Sequence, residues 1–577
     1  MFSTLKFYWD NLKRFERKQI LYLIIHRIKN RVSRITNLNN PRPISRDHFI
    51  SRTLFEMRLY ELIFIDNGIP IWDFWDTEEI KDIPYFEDLR INLNQFIAFP
   101  QKIWSNEHLE MEVSNNYDRF YLFLEAFIDL KTQPKHVINV MTKFISLNEF
   151  KITKCWSGFN IALRIINWLK ILTHFCQYMD EREWMLVQQS LYEHYFLLKN
   201  KIEYHIPGNH ILYQLFSLWI ISILFPGWEK SDNWDDLIIK EINKQFLKGG
   251  LHFELGFHYH VQATIVCLYW LMIRRRFEKE KPTDVFITIQ QAVKIIDKFV
   301  LADGTVPMIG DNCFCFFHQN LSEDILNIRK LSTRLLGFPN EIEKSLSNIS
   351  NNYLISEFSD SKLIMDIGQL GYKSNPGHGH SDILSIIYFQ KVPIFIDPGT
   401  RRYFNSDEDK LLKESVSHNT LTINGAGQAQ LGSYFRWAFL PQNINFSYRD
   451  LKNEHELIGS YCGFRQIGAF IHSRKVLHRN DNLEIDDEIR GMKNVDIQLN
   501  FVLHPNLNVD QEGKLVLLKD ILHSWTIRFL SEEKFLIKIV PIHIYIGYSQ
   551  GIPSYRINVL FKSVNLPFKC KTIIHSN

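Results

Sequence analysis

Two imidazoles and a carboxylate lie at the two ends of one apolar stretch, NPGHGHSDILSIIYFQKVPIFIDPGT (residues 375–400). His378 and His380 follow a Pro-Gly turn, and Asp397 precedes a second Pro-Gly. Between them, two apolar runs flank a Gln-Lys pair, which predicts a β-hairpin. Because the strands of a hairpin run antiparallel, its two ends return to the same edge of the sheet. We therefore expect His380 and Asp397 to lie close together.

A third candidate ligand is His418, which opens a strand-like run in the segment SVSHNTLTING. Two imidazoles and a carboxylate form a plausible zinc site, with water or another protein group as the fourth ligand. The same donor set suits other divalent ions, and the spacing follows no regular metal motif. On the residues alone, hydrogen-bonded histidines at strand edges and a turn aspartate remain the alternative interpretation.

A second group of polar side chains stands in segments with helical periodicity. In HIPGNHILYQ, Asn209 and His210 mark a predicted helix start, where asparagine commonly serves as the N-cap. In KGGLHFELGFHYHVQATIV, Glu254, Tyr259 and His260 precede an apolar helix. Taken alone, such a Tyr-His pair is most simply explained by core packing with hydrogen-bonded polar tips.

These two groups fall in two differently patterned parts of the chain. Helical periodicity dominates up to residue 345 and predicts helices at residues 118–130, 158–175, 183–202, 211–225 and 286–301. Beyond that point, short alternating runs with turn residues between them predict strands. We therefore expect a helical domain over residues 1–345 and an antiparallel β-sandwich over residues 346–577. Helices of similar length with short connections fit either a solenoid or a closed ring.

Composition restricts the classes of partner and the cellular location. The 577 residues carry a formal net charge of +3 without a concentrated basic stripe, so we expect no nucleic-acid partner. Seven scattered cysteines predict free thiols, with Cys313 and Cys315 as a minor metal candidate. The basic N-terminus lacks the pattern of a signal peptide, which predicts a cytoplasmic protein. A periplasmic or membrane-associated location, with the N-terminus on a membrane surface, is the alternative.

Several of these segments together resemble one family. GHGHSDILSIIYFQKVPIFIDPGT followed by HNTLTING resembles the signature of the heparinase II/III-like polysaccharide lyases, which are related to alginate lyases. The segments IALRIINWLK, GNHILYQ, HFELGFHYH and TVPMIGDN resemble landmarks of the family's helical domain, in the same order. The resemblance implies an N-terminal incomplete α/α toroid followed by a C-terminal antiparallel β-sandwich, with the active site in the cleft between them.

The resemblance also implies roles for the polar residues. One divalent ion, preferably zinc, would brace the loop of the catalytic histidine without touching the substrate. The implied groups are, for catalysis, Asn209, Tyr259, His260 and His378; for substrate binding, His210, Glu254 and Tyr403; and for the metal, His380, Asp397 and His418.

The implied reaction is β-elimination on an anionic polysaccharide that contains uronic acid. Hydrogen bonds to the uronate carboxylate would make the neighbouring C5 proton removable, and tyrosine and histidine would move the protons. Lys413 stands near a position where the family often carries arginine, which puts substrate contacts in that loop in doubt. The expected cytoplasmic location suggests a role beside surface-glycan or exopolysaccharide biosynthesis.

Two other functions are compatible with the sequence. A non-catalytic glycan-binding or assembly factor could keep the same fold without turnover. A metal-dependent hydrolase could use the His-Asp-His set as its reaction centre, with Glu254 as the base. The joint presence of the four implied catalytic residues favours the lyase.

Overall fold

The computed structural model describes most of the chain beyond residue 156 and short pieces before it. The described residues are 21–22, 43–50, 64–65, 69–70, 120, 134–147, 156–228, 233–276, 283–312, 321–336, 349–350, 352–492, 494–547 and 549–577. Nearly all of the basic N-terminus and of the helix expected at 118–130 lies outside these ranges, as do Cys313 and Cys315.

Helices make up most of the described chain before residue 337. They are α1 (Arg46–Ile50), α2 (Pro134–Leu147), α3 (Gly158–Phe175), α4 (Glu181–Asn200), α5 (Asn209–Leu224), α6 (Trp234–Gln245), α7 (Phe257–Arg276), α8 (Thr283–Phe299) and α9 (Leu321–Leu336). The helices predicted at 158–175, 183–202, 211–225 and 286–301 are confirmed, with ends that shift by up to three residues. For example, α4 begins two residues early because Asp180 and Glu183 form a reciprocal capping box at its N-terminus.

Helix α5 is the central element of the helical half. It packs against α3, α4, α6 and α7. Residues on all sides of it are buried, including Ile211, Leu215 and Trp219. A helix that is apolar all round belongs in a protein core, so α5 holds its polar first turn in a fixed place.

None of the described helices combines the length and apolarity that a bilayer crossing requires.

Antiparallel strands make up the described chain from residue 349 onward. The strands, numbered after a small pair β1 (Phe64–Ile65) and β2 (Ile69–Pro70), are β3 (Ile349–Ser350), β4 (Tyr353–Glu357), β5 (Ser361–Asp366), β6 (Ile386–Gln390), β7 (Val392–Phe395), β8 (Leu421–Ile423), β9 (Gln430–Ser433), β10 (Arg436–Ala438), β11 (Gln442–Leu451), β12 (Glu454–Gly463), β13 (Phe470–His478), β14 (Asn482–Arg490), β15 (Val495–Val502), β16 (Asn508–Glu512), β17 (Leu515–Lys519), β18 (Ser524–Leu530), β19 (Phe535–Gly547), β20 (Gln550–Val564) and β21 (Phe568–Ser576). A short helix, α10 (Asp407–Leu411), interrupts them.

Three larger sheets and one two-stranded ribbon arise from these strands. The strand orders are β3-β4-β5-β6-β7, β19-β20-β15-β8 and β11-β12-β13-β14-β21-β18-β17-β16, with β9 and β10 forming the ribbon. Their inward side chains share one apolar core, which contains residues such as Leu363, Leu457 and Ile557. Alternation of buried and half-buried residues along β13 and β14 is the pattern of strands with one face in a core.

The predicted hairpin is present as β6 and β7, and Lys391 adopts φ +62° in the turn between them. The incomplete toroid followed by an antiparallel β-sandwich is thus confirmed. The expected boundary at residues 345 and 346 lies between Leu336 and Ile349, in a stretch outside the described residues, and it stays a prediction.

A buried ion pair inside the sandwich supports the loop of one predicted metal ligand. The Arg474 guanidinium donates to the carboxylate of Asp487 at 2.8 Å and 3.0 Å. It also donates to the carbonyl oxygens of Leu384 at 2.7 Å and of Asn419, the neighbour of His418, at 2.6 Å. The backbone shortly after His380 and the backbone directly after His418 are therefore both fixed from the sheet interior.

Candidate active site

The candidate site lies where a loop of the helical half enters the β half. The backbone N–H of Asp311 donates to the carbonyl oxygen of His378 at 2.9 Å. Next to it, the side-chain oxygen of Asn312 accepts from the N–H of Thr400 at 3.2 Å. The loop after α8 is thus held between the loop of His378 and the loop that leads to Tyr403.

Two aromatic rings from opposite halves meet at this junction. Tyr259, in the first turn of α7, stacks on His378 with ring centroids 4.0 Å apart and an interplanar angle of 29°. The Tyr259 hydroxyl donates to the hydroxyl oxygen of Tyr403 at 3.0 Å. The His378 side chain is 20% exposed, which places this group at the solvent boundary. Burial lowers the pKa of His378 despite the neighbouring Asp311 carboxylate. Three of the predicted site residues are therefore in direct contact.

The start of α5 differs from the expectation that Asn209 is the N-cap of this helix. Gly208 is the N-cap, and Asn209 is the first helical residue, whose Oδ1 atom accepts no capping hydrogen bond. The N-cap interpretation of Asn209 is therefore wrong. Its Oδ1 atom is buried and has no hydrogen-bond partner within the described part of the chain. Gly208 has φ +147°, and a Cβ there would lie 2.1 Å from Oε1 of Glu254. Glycine thus lets the carboxyl group of Glu254 approach this helix start.

Glu254 presents a neutral carboxyl group beside Asn209. Burial raises the pKa of Glu254 to about 8, and a hydrogen bond from the Asn209 backbone only partly opposes this. Oε2 of Glu254 lies 3.6 Å from Nδ1 of His252, whose pKa burial lowers well below its ordinary value. Both groups are uncharged near neutral pH, so Glu254 carries a hydrogen that it can donate.

His210, one residue beyond Asn209, is oriented by a buried carboxylate. Its Nδ1 atom lies 3.1 Å from Oε2 of Glu203, and its ring stacks on Phe159 with centroids 3.8 Å apart. Gln214 donates a further hydrogen bond to Glu203 at 2.8 Å. Burial alone would raise the pKa of Glu203, but these contacts hold it below the ordinary value. An ionised Glu203 thus fixes the Nδ1 edge of the His210 ring. The other ring nitrogen, Nε2, points away from Glu203.

The surroundings of His260 do not fit the catalytic role that the family resemblance implied for it. The ring is fully buried, its Nδ1 accepts from the backbone N–H of His252 at 3.1 Å, and its Nε2 lies 2.9 Å from the carbonyl oxygen of Ala292. Burial lowers the pKa of His260 to about 4. Both ring nitrogens are occupied by the main chain, so this geometry suits a residue that ties α7 to its surroundings and not one that moves protons.

Asp311 is the main site residue that the sequence reasoning missed. Its buried carboxylate contacts Nδ1 of His378 at 3.1 Å and Nε2 of His380 at 2.9 Å. Lys413 donates to both of its oxygens at 3.0 Å and 3.2 Å, and the Tyr434 hydroxyl donates at 3.1 Å. Burial would raise the pKa of Asp311, but Lys413 and the two imidazoles hold it far below its ordinary value. One ionised carboxylate therefore joins the two histidines of the GHGH segment.

The same contacts revise the expectation for Lys413. The side chain is buried, and its ammonium group donates to the carbonyl oxygen of Gly377 at 2.7 Å and lies 4.3 Å from the ring centroid of Tyr434. Lys413 is therefore the internal counter-ion of Asp311. A substrate contact is not available to it in this arrangement.

The three predicted metal ligands converge in a buried position. Donor atoms of His380, Asp397 and His418 all lie within 4.8 Å of one another. Nδ1 of His380 and Nε2 of His418 are buried and have no hydrogen-bond partner among the described residues. Nδ1 of His418 lies 3.1 Å from Oδ2 of Asp397. Two unpartnered imidazole nitrogens beside a carboxylate are the donor set that a divalent ion would satisfy.

Comparison with known proteins identifies the family of the chain. The family model for the heparinase II/III N-terminus matches residues 24–328, and the model for the heparinase II/III-like C-terminal domain matches residues 350–547. The chain belongs to the heparinase II/III-like family. The N-terminal match contains Asn209 and Tyr259, and the C-terminal match contains His378 and the three candidate metal ligands.

Two curated relatives are similar over part of their length. A heparin-sulfate lyase of Bacteroides stercoris is 25% identical over 289 residues, which are 44% of this chain and 42% of the relative. A heparin-sulfate lyase of Pedobacter heparinus is 32% identical over 111 residues, which are 18% of this chain and 17% of the relative. The matches thus cover less than half of either relative.

Solved structures show the same fold over more of the chain. A crystal structure of heparinase III has a TM-score of 0.66 at 15% identity and covers 94% of this chain and 87% of that one. Heparan sulfate lyase HepC of Pedobacter heparinus has a TM-score of 0.54 at 16% identity, covering 97% and 88%. These likenesses support the fold described above for this chain, a toroid followed by a sandwich.

We predict that the glycine of the GHGH segment cannot carry a side chain. A Cβ at Gly379 would lie 1.1 Å from the carbonyl oxygen of Leu370, whereas at Gly377 the nearest atom would be 3.6 Å away. Gly379→Ala should therefore move the loop and lower the free energy of unfolding by about 1–3 kcal/mol or more. Gly377→Ala is the matched control and should stay within about 0.5 kcal/mol. Equal melting temperatures for the two variants would contradict this.

We also predict a pH dependence of stability from Glu254. Because folding raises its pKa from the ordinary 4.5 to about 8, the folded state holds this proton more tightly than the unfolded state does. The resulting stability is fully present below pH 4.5 and is lost as the pH rises through about 8. One pKa unit corresponds to about 1.36 kcal/mol, so the loss should amount to a few kcal/mol at most.

The measurement is thermal unfolding of the wild-type chain and of Glu254→Gln at several pH values. The wild-type melting temperature should fall more steeply than that of the variant between mildly acidic and mildly alkaline pH. Parallel curves would show that Glu254 has no raised pKa.

Proposed function

We propose that this chain is a lyase that cleaves an anionic, uronic-acid-containing polysaccharide by β-elimination. The observation that carries the proposal is the contact of Tyr259 with His378 across the junction of the two halves. Such a pair unites a phenol and an imidazole, the groups needed to move protons at one reaction centre. The buried groups Asn209 and Glu254, which meet at the start of α5, supply the second requirement of the reaction.

That requirement is neutralisation of the substrate carboxylate. The proton on C5 of a uronate is weakly acidic, and its removal places negative charge on the neighbouring carboxylate. The amide of Asn209 and the protonated carboxyl of Glu254 can both donate hydrogen bonds to that group without adding negative charge. His210, whose Nδ1 faces Glu203, lies beside Asn209 and would add a third donor through Nε2 in its doubly protonated form.

Elimination then needs one proton acceptor and one proton donor. The acceptor takes the C5 proton, the electron pair of the C5–H bond forms the C4–C5 double bond, and the bond from C4 to O4 breaks. The departing O4 oxygen takes a proton from the donor. We assign these two steps to the stacked pair of Tyr259 and His378, with Tyr403 hydrogen-bonded to the phenol.

The buried metal-ligand set favours the lyase over a metal-dependent hydrolase. The side chains of His380 and His418 are fully buried and that of Asp397 is 5% exposed. A metal that activates water for hydrolysis keeps an open coordination position toward the substrate. We propose instead that one divalent ion, preferably zinc, holds the loop of His378 in place when bound.

The names of the relatives guide the choice of substrate. The two curated relatives are called heparin-sulfate lyases, so heparin-sulfate is the first glycan to test, beside alginate and other uronic-acid polymers. We propose an anionic polysaccharide of this class as the partner of the cleft.

We predict that Tyr259→Phe abolishes cleavage without unfolding the chain. General acid–base groups typically contribute about 100- to 10,000-fold to the rate, and the substitution removes only the hydroxyl. Tyr269→Phe, on the same helix, is the matched control and should keep full activity. The assay is the ultraviolet absorbance of the unsaturated uronate product, followed on a panel of acidic glycans.

Two results would count against the lyase in this assay. Absence of the unsaturated product with wild-type protein on every acidic glycan would favour the non-catalytic binder. Near wild-type turnover of Tyr259→Phe on a cleaved glycan would remove Tyr259 from the proton transfers.

We further predict about one bound divalent ion per chain in protein purified without chelator. A ligand present at 100 times its dissociation constant stabilises a fold by about 2.7 kcal/mol, so removal with a chelator should lower the melting temperature. His418→Ala should lose the ion, whereas the control His543→Ala, at an exposed position on β19, should retain it. Elemental analysis that finds no ion, together with a melting temperature that chelator leaves unchanged, would contradict the metal site.

A further inference from the structure

Asp311 stands between the proposed metal site and the proposed proton-transfer pair. We propose that Asp311 is a positioning residue that fixes the tautomer and orientation of both His378 and His380, and so connects the two sites. The consequence for catalysis rests on the proposed lyase function, whereas the consequence for metal binding does not.

The first step concerns the chemical state of the atoms that face Asp311. Lys413 donates to both carboxylate oxygens at 3.0 Å and 3.2 Å, and Tyr434 donates at 3.1 Å. An ionised carboxylate is an acceptor only, with about four lone-pair positions. Tyr434, His378 and His380 each contact one carboxylate oxygen, and Lys413 contacts both. Each imidazole nitrogen that faces Asp311 must therefore carry a hydrogen.

For His380, this requirement selects the atom that can bind a metal. Nε2 lies 2.9 Å from Oδ1 of Asp311 and is the protonated nitrogen. The lone pair of the neutral ring is then on Nδ1, which is buried without a hydrogen-bond partner in the described part of the chain. His380 belongs to the convergent set with Asp397 and His418. Asp311 thus leaves His380 ready to bind a metal ion before the ion arrives.

For His378, the same requirement selects the atom that faces the cleft. Nδ1 lies 3.1 Å from Oδ2 of Asp311 and is the protonated nitrogen. The lone pair of the neutral ring is then on Nε2. Because the ring also packs on Tyr259, its rotation is restricted on two sides. His378 is thus preset as the proton acceptor through Nε2, and the phenol of Tyr259 is left as the donor to the departing oxygen.

Asp311→Asn tests this assignment with little change in size. An asparagine amide has one acceptor oxygen and one donor NH₂ group, so it cannot accept from both imidazoles and from Lys413. In a calorimetric titration of the chelator-stripped full chain with Zn²⁺, we expect the affinity to fall about 10- to 100-fold. On a glycan that wild type cleaves, kcat should fall while KM changes little, because Asp311 orients the acceptor and does not bind the substrate.

The matched control is Asp235→Asn in the helical half. Asp235 is also a buried carboxylate, and it accepts from Arg274 at 3.0 Å and from the Trp270 indole at 2.9 Å. Loss of its charge should lower the melting temperature but leave the affinity for Zn²⁺ and kcat unchanged. If Asp311→Asn behaves like this control, with wild-type affinity and wild-type kcat, the positioning role is overturned.

A measurement on the wild-type chain covers the case in which Asp311→Asn fails to fold. Ring ¹⁵N spectra of the metal-free, histidine-labelled protein report which nitrogen carries the hydrogen. His378→Asn and His380→Asn identify the two signals. We expect Nδ1–H for His378 and Nε2–H for His380, and the opposite tautomer at either ring would overturn the inference.

The outcomes separate this inference from the proposed function. Predicted tautomers and weakened Zn²⁺ binding in a chain that cleaves no glycan would support the positioning role and contradict the lyase. An active lyase whose Asp311→Asn variant binds Zn²⁺ and turns over like wild type would support the lyase and contradict the positioning role.

Discussion

The buried ion pair of Asp311 and Lys413 is the interaction on which the site depends most. Removing two charges from water costs several kcal/mol per ion, and good geometry with further hydrogen bonds is needed to offset this. Here Asp311 receives four donors, and Lys413 also reaches the carbonyl oxygen of Gly377. Asp311 comes from the helical half and its donors come from the β half. Each half therefore supplies the charge that balances the buried charge of the other half. Because neither charge is balanced without the other half, the cleft between them has a defined geometry.

Three carboxyl groups around the cleft show how local contacts set charge. Glu254 is neutral because burial dominates and the hydrogen bond from the Asn209 backbone is too weak to reverse it. Glu203 and Asp311 are just as enclosed, yet imidazole contacts at each, and an ammonium group at Asp311, keep them ionised. The same side-chain chemistry thus yields a hydrogen-bond donor at one position and acceptors at two others, as expected when burial and nearby charge compete.

Local patterns in the sequence predicted the parts of this structure that short-range physics determines. The hairpin of β6 and β7 brings the ends of its two strands together, so the closeness of His380 and Asp397 followed from the pattern of turns and apolar runs alone. Asp311 could not be found in that way, because its partners His378 and Lys413 are 67 and 102 residues away in the chain. Its only local signal is the Gly-Asp step in TVPMIGDN, which many turns share. The capping role of Asn209 failed for a related reason, since the approach of Glu254 to Gly208 is a tertiary contact.

The spacing of the GHGH segment explains how the proposed metal site and the proposed proton-transfer pair can share one loop. His378 and His380 are separated only by Gly379, where a Cβ would collide with the carbonyl oxygen of Leu370. The backbone therefore lies directly against its neighbour and has little freedom to adjust one histidine without the other. Asp311 then adds a second link between the same two rings, through side chains instead of backbone. With these two short links, the positions of His380 and His378 are coupled. An ion held by His380, Asp397 and His418 would thus control the position of the proton-transfer pair while remaining out of reach of the substrate.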